Sequence, residues 1–574
     1  MKILAIHADF IEFQAKKKAF KGAEEGVSKD KQKVKECLVV FTAVEKRDEV
    51  DVQAVVKKYL KEIKDIAKQV KADNIVLYPY AHLSSSLSNP KTAEEIMKEA
   101  EQLLNKDYKV SRAPFGWYKS FDISCKGHPL SELSREFSVD GEVKEEKVDM
   151  PELLKKMSRN RMSAPRGNKD QKSNVELGKE LGLYFVNEIV GGGLPLFTPK
   201  GATIRREIER FIVDEELKRG YLHTSTPIMA KSDLYKVSGH WQHYKKDMFA
   251  LDIHGKTFAL RPMTCPFQFI IYKQNQRSYR DLPLRYAEIA QLFRNEQSGE
   301  LRGLTRLRQF TLADAHIICR PDQLDEEFAK VLDLVKFMMD KLGIKDIWYR
   351  FSKWDPNDKG NKYIDNPPAW EASEKMMKKL LDKLKVKYTE EKGEAAFYGP
   401  KLDLQYNDVY GKEDTLITLQ IDFALPDKYD LTYIDEHGKE QRPMVIHRSS
   451  AGCTERTISY LLEKTQGKFP LWLNPVQVKV LTISDKHNKF AQKVVEQLQE
   501  AGLRVELDNR TETMGKKIRE AQMEKVNYMI TIGDKEVEKK KLAVRSRAGD
   551  VKFGVDPDKF VEQLVQEVKE KKLD

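Results

Sequence analysis

The sequence predicts a protein of several domains, α/β at its two ends and mixed α+β between them. Three observations carry that prediction. The chain has 574 residues, more than one core organises, since domains hold roughly 100–200 residues. Over residues 1–140 short aliphatic runs alternate with stretches of helical periodicity. From Val476 onward a strand–helix theme repeats, as it does in small doubly wound domains.

Composition narrows the class. Hydrophobic residues make up 40% of the chain and charged residues 33%, enough apolar material for several packed cores. No run approaches the roughly 18 apolar residues of a membrane helix. The apolar stretch at the start is too short for a signal peptide and ends at Asp9, so it reads as a first strand. Five cysteines (37, 125, 265, 319 and 453) form no CxxC pair, which excludes a secreted disulfide framework and makes a cytoplasmic location the expectation. The net charge of +11 allows a polyanionic partner without requiring one.

The elements follow in order. Residues 3–7 and 38–44 read as strands from their aliphatic and β-branched content. A helix over 50–72 follows from Val55, Val56, Leu60, Ile63 and Ile66, which recur at helical spacing. A strand at 74–80, a helix at 91–104 and a strand at 117–124 complete a domain of residues 1–140. Next come Lys155, Lys156, Arg159, Arg161, Arg166, Lys169 and Lys172 against one acid, Asp170, with Pro165 and Gly167 among them. Residues 141–174 therefore read as a basic linker, either a solvated tether or a nucleic-acid contact. Residues 175–472 form the largest unit. In 473–574 strands are expected at 478–483, 504–507, 528–532 and 542–545, and helices at 489–501, 514–525 and 557–571.

Three segments of the central unit carry chemistry. Phe197-Thr198-Pro199-Lys200-Gly201 is a Pro/Gly turn leading into a helix over 204–218 and a strand ending at Pro227. The second begins Phe293-Arg294-Asn295-Glu296 and runs to Arg306-Leu307-Arg308-Gln309-Phe310, two strand-like runs around a loop containing Gly299 and Gly303. Guanidinium groups on such a hairpin give planar, bidentate recognition of phosphate, although an arginine-rich hairpin is more often a solvated surface. In the third, Ala451-Gly452-Cys453-Thr454-Glu455-Arg456, Gly452 permits a tight strand-to-helix turn and Arg456 falls in the first helical turns. Alone, each fits an ordinary loop, surface or helix start.

Together, and in this order, they resemble the signature motifs of class II aminoacyl-tRNA synthetases. Gly239-His240-Trp241, Arg261-Pro262-Met263-Thr264-Cys265-Pro266, Asp314-Ala315-His316, Phe397-Tyr398-Gly399-Pro400-Lys401, Gln420-Ile421-Asp422-Phe423 and Ile446-His447-Arg448 make the resemblance specific to the threonyl-tRNA synthetase family. It covers residues 175–574 and implies a catalytic domain at 175–472 built on an antiparallel sheet, with the segment around Pro227 in a homodimer interface. The resemblance implies that Arg294 holds the α-phosphate and the amino-acid carboxylate. It places Glu296 and Phe310 at adenine, Arg306 at the γ-phosphate, and Arg456 over the other face of ATP, which would enter with Mg²⁺. Met263, Asp314, Tyr398, Lys401 and Gln420 are implied to line a threonine pocket, with Lys401 also among the catalytic residues. His240 is implied to assist transfer to the ribose hydroxyl of tRNA(Thr).

Cys265, His316 and His447 match the family's zinc ligands, one ion per chain, and three ligands leave a coordination position open. Threonine can fill it with its amino and hydroxyl groups and valine cannot, whereas shape alone separates such isosteres by only about 10²-fold. Serine keeps both ligands and lacks one methyl, a difference of roughly 1–3 kcal/mol, so a second, editing site is expected. Residues 1–140 resemble the archaeal editing domain of this family, related to D-aminoacyl-tRNA deacylases. The matching segments are Lys2-Ile3-Leu4-Ala5-Ile6-His7-Ala8-Asp9, Tyr78-Pro79-Tyr80-Ala81-His82, Ala113-Pro114-Phe115-Gly116-Trp117-Tyr118-Lys119, and Ser124-Cys125-Lys126-Gly127-His128. His82, Tyr118, Lys119 and Glu132 carry over as the editing pocket; Cys125, with no base assigned beside it, reads as packing. Residues 473–574 resemble the class IIa α/β anticodon-binding domain, with Glu536 and Arg545 at base-reading positions.

This sequence departs from the commoner bacterial pattern at Leu312, Ala313, Thr415, Cys453 and Thr511. A non-catalytic tRNA-binding paralogue, the rival reading, would be expected to lose Arg294 or Arg456, and both are present.

Overall fold

The computed structural model describes residues 1–20, 22–84, 86–137, 150–159, 170–358 and 362–573. It separates into two compact units, Met1–Asp149 and Met150–Asp574. Among the described residues no helix is long and apolar enough to cross a membrane.

The N-terminal unit is a mixed sheet in the order β4-β3-β2-β1-β5, with β6 also on β1. Its strands are β1 (Lys2–Lys18), β2 (Gln32–Ala43), β3 (Asn74–Pro79), β4 (Lys109–Arg112), β5 (Trp117–Cys125) and β6 (Glu132–Glu136). The first strand is far longer than the apolar run at 3–7 suggests. One edge pairs with β2, while the other pairs with β6 over Lys2–Ile6 and then, from Ala8 and through two register shifts, with β5. Helices α1 (Val52–Val70) and α2 (Pro90–Leu104) cover the face bearing Ile3, Leu38, Val40, Ile75 and Leu77. Ile11, Phe13, Val39, Phe41, Val76 and Tyr78 form a second core on the other face.

Part of the expected linker is helical. Met150–Met157 forms an exposed helix, helped by the Glu152–Lys156 pair at 3.0 Å, an i,i+4 interaction that pure charge counting overlooks. Arg161, Arg166 and Lys169 lie outside the described residues. The segment Thr198–Gly201 is not a turn before a helix but the helix's own start. In α3 (Pro199–Lys218), Thr198 Oγ1 accepts from Gly201 N at 3.3 Å and Pro199 takes the first position, where a missing N–H costs nothing.

The larger unit is built on an eight-stranded sheet. Its strands are β7 (Leu222–His223), β8 (Leu284–Phe293), β9 (Gln309–Cys319), β10 (Trp348–Lys353), β11 (Tyr388–Lys392), β12 (Lys401–Asn407), β13 (Glu413–Asp422) and β14 (Met444–Cys453). They run β11-β10-β12-β13-β14-β9-β8-β7, antiparallel except for the two outermost pairs. Ile317, Ile421 and Ile446 pack into one core with Ile204, Ile208 and Phe211 of α3, and with Phe328 and Val335 of a helix at Leu324–Leu342. Their neighbours in sequence point to the opposite face and form one row across four strands. Lys401 lies opposite Gln420, Gln420 opposite His447, and His447 opposite His316.

The C-terminal part carries a sheet of β15 (Val478–Thr482), β16 (Val505–Asp508), β17 (Tyr528–Ile532), β18 (Leu542–Ser546) and β19 (Val551–Val555) in the order β16-β15-β17-β18-β19. A short helix at Asp534–Lys539 and the strand β19 were not expected from the sequence. β19 has no buried face, four of its five residues being exposed, so the period-2 signal of a half-buried strand is missing.

Strand β14 passes directly into a helix at Thr454–Thr465. Gly452 makes this possible: its φ is +76°, and a Cβ there would lie 2.2 Å from the Leu416 carbonyl oxygen on β13. Gly452→Ala is therefore expected to destabilise the larger unit by about 1–3 kcal/mol from backbone strain alone, with more from parting β13 and β14. Urea unfolding measures this, and an unchanged midpoint would contradict it.

Candidate active site

The polar face of the eight-stranded sheet opens into a cavity of about 750 Å³. The row Lys401, Gln420, His447 and His316 forms its floor. Asp314, two residues before His316 on β9, shares that face. Met263 and Cys265 enter from the loop and start of a helix at Cys265–Lys273. Arg294, Glu296, Arg306 and Phe310 reach the cavity from the β8–β9 hairpin, Arg456 from the helix after β14, and His240 and Tyr398 from the far wall. Every residue that the sequence assigned to catalysis, ATP, threonine or metal in this unit therefore lines one space.

At one end Cys265, His316 and His447 are all buried, and their ligand atoms lie within 4.8 Å of one another. Each imidazole is oriented by its remaining nitrogen. His316 Nδ1 is 2.6 Å from Gln268 Oε1, and His447 Nε2 is 2.8 Å from Asp422 Oδ2, which leaves His316 Nε2 and His447 Nδ1 for a metal. Such partners fix tautomer and ring direction. Burial, with the Asp314 and Asp422 carboxylates, drives the Cys265 thiol well above its ordinary pKa. Burial and His447 drive His316 well below its own. A thiol and two imidazoles, dry and converging, fit a divalent metal that draws off the thiol proton on binding. The sequence reading quotes Asp422 within a motif but gives it no role, and it does not reach Gln268, although Gln268 lies three residues past Cys265 on the same helix, a spacing that shares a face.

The neighbouring side chains are held by buried polar contacts. Tyr398 stacks on His447, centroids 4.9 Å apart, and its hydroxyl donates to Gln420 Oε1. Lys401 Nζ lies 3.0 Å from Asp403 Oδ2, a fully buried carboxylate that also accepts from Ser352 and Thr418. His240 begins a short helix; its Nδ1 is 2.7 Å from Ser238 Oγ. Burial, reinforced by His447, lowers its pKa to about 3, so the ring is neutral.

At the other end the arginines converge. The Arg294 guanidinium lies 5.1 Å over the Phe310 ring, and burial followed by the Arg456 charge lowers its pKa. Burial also opposes the charge of Arg456, but Asp414 at 3.4 Å lifts its pKa above the ordinary value. Arg306 Nε donates to Glu296 Oε2 at 2.8 Å. Thr415, Leu312 and Cys453, three of the departures, line this end too; the Thr415 carbonyl accepts from Arg456 Nη1.

Comparison with known proteins bears on this geometry. A family model described as the Archaea-specific editing domain of threonyl-tRNA synthetase matches residues 1–137. One for the tRNA synthetase class II core domain (G, H, P, S and T) matches 244–465, and one for an anticodon binding domain matches 477–567. A solved structure titled as the RNA binding domain of threonyl-tRNA synthetase from Cryptosporidium parvum is 35% identical, with a TM-score of 0.65, covering 70% of this chain and 99% of that one. The chain belongs to the threonyl-tRNA synthetase family. The threonine--tRNA ligases of Clostridium botulinum and Halalkalibacterium halodurans are 54% and 47% identical over 402 and 401 residues, 69% and 70% of this chain. The chain spans 62% of the length of each.

The N-terminal unit of this threonyl-tRNA synthetase family member places its four expected editing residues unequally. Lys119 lies 4.9 Å over the Tyr78 ring and donates to the Pro114 and Trp117 carbonyls at 3.0 and 3.1 Å. His82 packs edge-on to Tyr80, which in turn contacts Tyr78. Tyr118, next to Lys119 on β5, projects to the opposite face and is 63% exposed. Glu132 is exposed, and its Oε1 accepts from Cys125 Sγ at 3.6 Å, so Cys125 does have a carboxylate beside it, contrary to the sequence reading. In the C-terminal part Glu536 accepts from Gly533 N at 3.0 Å and Arg545 donates to the Gly549 carbonyl at 3.1 Å.

Two predictions follow from these environments. Asp422→Asn should weaken divalent-metal binding about 10- to 100-fold, read by competition with a chromogenic chelator; unchanged affinity would remove the orienting role. Burial holds Lys119 at about 8 against an ordinary 10.5. Between those values the unfolded chain binds more protons, so stability of the N-terminal unit rises with pH there. Urea midpoints followed through Trp117 should climb between about pH 8 and 10.5, and Lys119→Met should flatten the slope.

Proposed function

We propose that the chain is a threonine--tRNA ligase that activates L-threonine with ATP and Mg²⁺, passes it to tRNA(Thr), and hydrolyses Ser-tRNA(Thr) in its N-terminal unit. The observation that carries this reading is the single cavity joining a buried Cys/His/His donor set, Asp314 and the hairpin arginines. The donor chemistry suits Zn²⁺, and zinc, when bound, supplies an open coordination position for the amino and hydroxyl groups of threonine.

The remaining work belongs to the chain. Asp314 accepts from the threonine hydroxyl, and Arg294 holds the carboxylate beside the α-phosphate. As a carboxylate oxygen bonds the α-phosphorus and the bond to pyrophosphate breaks, the fixed charges of Arg294 and Arg456 stabilise the charge that develops. Arg306 exchanges Glu296 for the γ-phosphate, which frees Glu296 for adenine. Phe310 stacks on the base, with Arg456 on its other side. His240, neutral and oriented by Ser238, positions the ribose hydroxyl for transfer. In the N-terminal unit Lys119 and His82 hold the terminal adenosine and orient a water toward the seryl ester. Leu222, Ile228 and Met229, exposed on either side of Pro227, support a homodimer through this segment, and the enzyme is placed in the cytoplasm.

The test is aminoacylation of tRNA(Thr) with threonine, serine and valine, with and without a zinc chelator. Threonine should be charged, valine rejected, and serine released again by hydrolysis. Cys265→Ser should abolish threonine-dependent ATP–pyrophosphate exchange, and Lys119→Met should let Ser-tRNA(Thr) accumulate while threonylation continues. Full threonine activation by a zinc-free Cys265→Ser chain would sink the proposal.

A further inference from the structure

One face of the C-terminal sheet is only half covered. A helix at Met514–Met523 packs on β15 and β17 through Ala521 against Leu481 and Met529. The register carries the same face outward: Met529 lies opposite Arg545, and Arg545 opposite Val551 on the edge strand β19. A register shift between Lys552 and Val555 sets Phe553 and Gly554 together against Ala543, which shares the face of Arg545. Val551 is 38% exposed and Phe553 is 78% exposed, more than any other large hydrophobic side chain among the described residues.

A bare phenylalanine on an edge strand is a liability, since an apolar edge invites pairing with another chain. Its surroundings select the occupant. Residues 539–552 carry Lys539, Lys540, Lys541, Arg545, Arg547 and Lys552 against one acid, Asp550; Lys541 is paired with Asp556 at 2.5 Å, and the stretch stays positive on balance, so it attracts a polyanion and repels a second copy of itself. Arg545 is anchored through Nη1 to the Gly549 carbonyl, which presents a planar cation on the same face as the ring. A flat ring beside a fixed guanidinium in a basic rim suits an unpaired nucleobase, with lysines left for phosphates.

We infer that Phe553 is a stacking platform for an unpaired base of RNA, adjoining Arg545. This deepens the proposed tRNA-ligase reading and rests on it. The nucleobase is held by its π-face, so the contact adds affinity without choosing a sequence, while a neighbour such as Arg545 reads the base edge.

The test uses the full chain and a tRNA(Thr) transcript carrying 2-aminopurine in the anticodon loop. Phe553→Ala should weaken binding about 5- to 150-fold, the range for loss of one aromatic–base stack, and should reduce the change in 2-aminopurine fluorescence. Phe553→Trp should restore both. Threonine-dependent ATP–pyrophosphate exchange, which needs no RNA, checks that each variant is folded. If the wild-type chain does not bind the transcript, the tRNA-ligase reading itself fails. If it binds and Phe553→Ala binds equally well, only the stacking inference is overturned. An equal loss with a transcript made abasic in the loop overturns it too. So does a Phe553→Ala chain altered only in sedimentation, which would assign the ring to contact between chains.

Discussion

The pairing of β9 with β14 is the constraint on which the rest of the site depends. It sets His316 opposite His447, rings edge to face with centroids 4.6 Å apart, and β13 and β12 extend the row through Gln420 and Lys401. A slip of one residue would turn every one of these side chains to the other face. What holds the register is the alternate set: Ala315, Ile317, Ile421 and Ile446, sealed into the core against the flanking helices. The apolar half of each strand thus specifies where the polar half points. His316, His447, Gln420 and Lys401 are one register decision, which is why they appear together in a single cavity.

Charge is the second constraint, and it works against stability. Arg294, exposed to the cavity, and Arg456, whose side chain is 27% exposed, aim like charges at one space, and like charges held close together repel. Each is compensated only in part, Arg294 by the face of Phe310 and Arg456 by Asp414. Arg306 borrows Glu296. A site with cations aimed at a common space and imperfectly neutralised is preorganised for an anion, because the reorganisation is already done when the anion arrives. On the proposed reading, the same contacts imply competition: a triphosphate must take Arg306 from Glu296 and settle between Arg294 and Arg456 before the ring of Phe310 is free for a base.

How much of this was legible follows from what kind of signal each feature leaves. Long amphipathic helices such as Val52–Val70 declare themselves by spacing, and the motif residues of the cavity by type and order. The row across β12, β13, β14 and β9 does not, because register is a property of strands more than 100 residues apart in some pairs and has no local trace. β1 was read too short because its second half alternates polar and apolar residues against a different partner. β19 was missed because it buries nothing, and the Met150–Met157 helix because its charges looked like tether. Pairing also decides the N-terminal unit: Tyr118 and Lys119 are neighbours in sequence and read as one pocket, yet a strand sends consecutive side chains to opposite faces.

On the proposed reading, the two units divide a discrimination that neither chemistry can complete alone. A metal position open to a hydroxyl separates threonine from valine by presence or absence of a ligand atom, a difference worth far more than shape. Against serine the same device is blind, because the ligand atoms are identical and only a methyl is missing. Rejection must then come from a site that acts on the ester after it forms, and such a site needs a different environment from the cation-lined cavity. Lys119 supplies that contrast. It has no acidic partner among its hydrogen bonds, donates to two backbone carbonyls, and burial brings it to about 8. A lysine in that state can hold an ester or a nucleoside hydroxyl without the grip on phosphate that the arginines of the larger unit exert, so the ester can be released once it is cut.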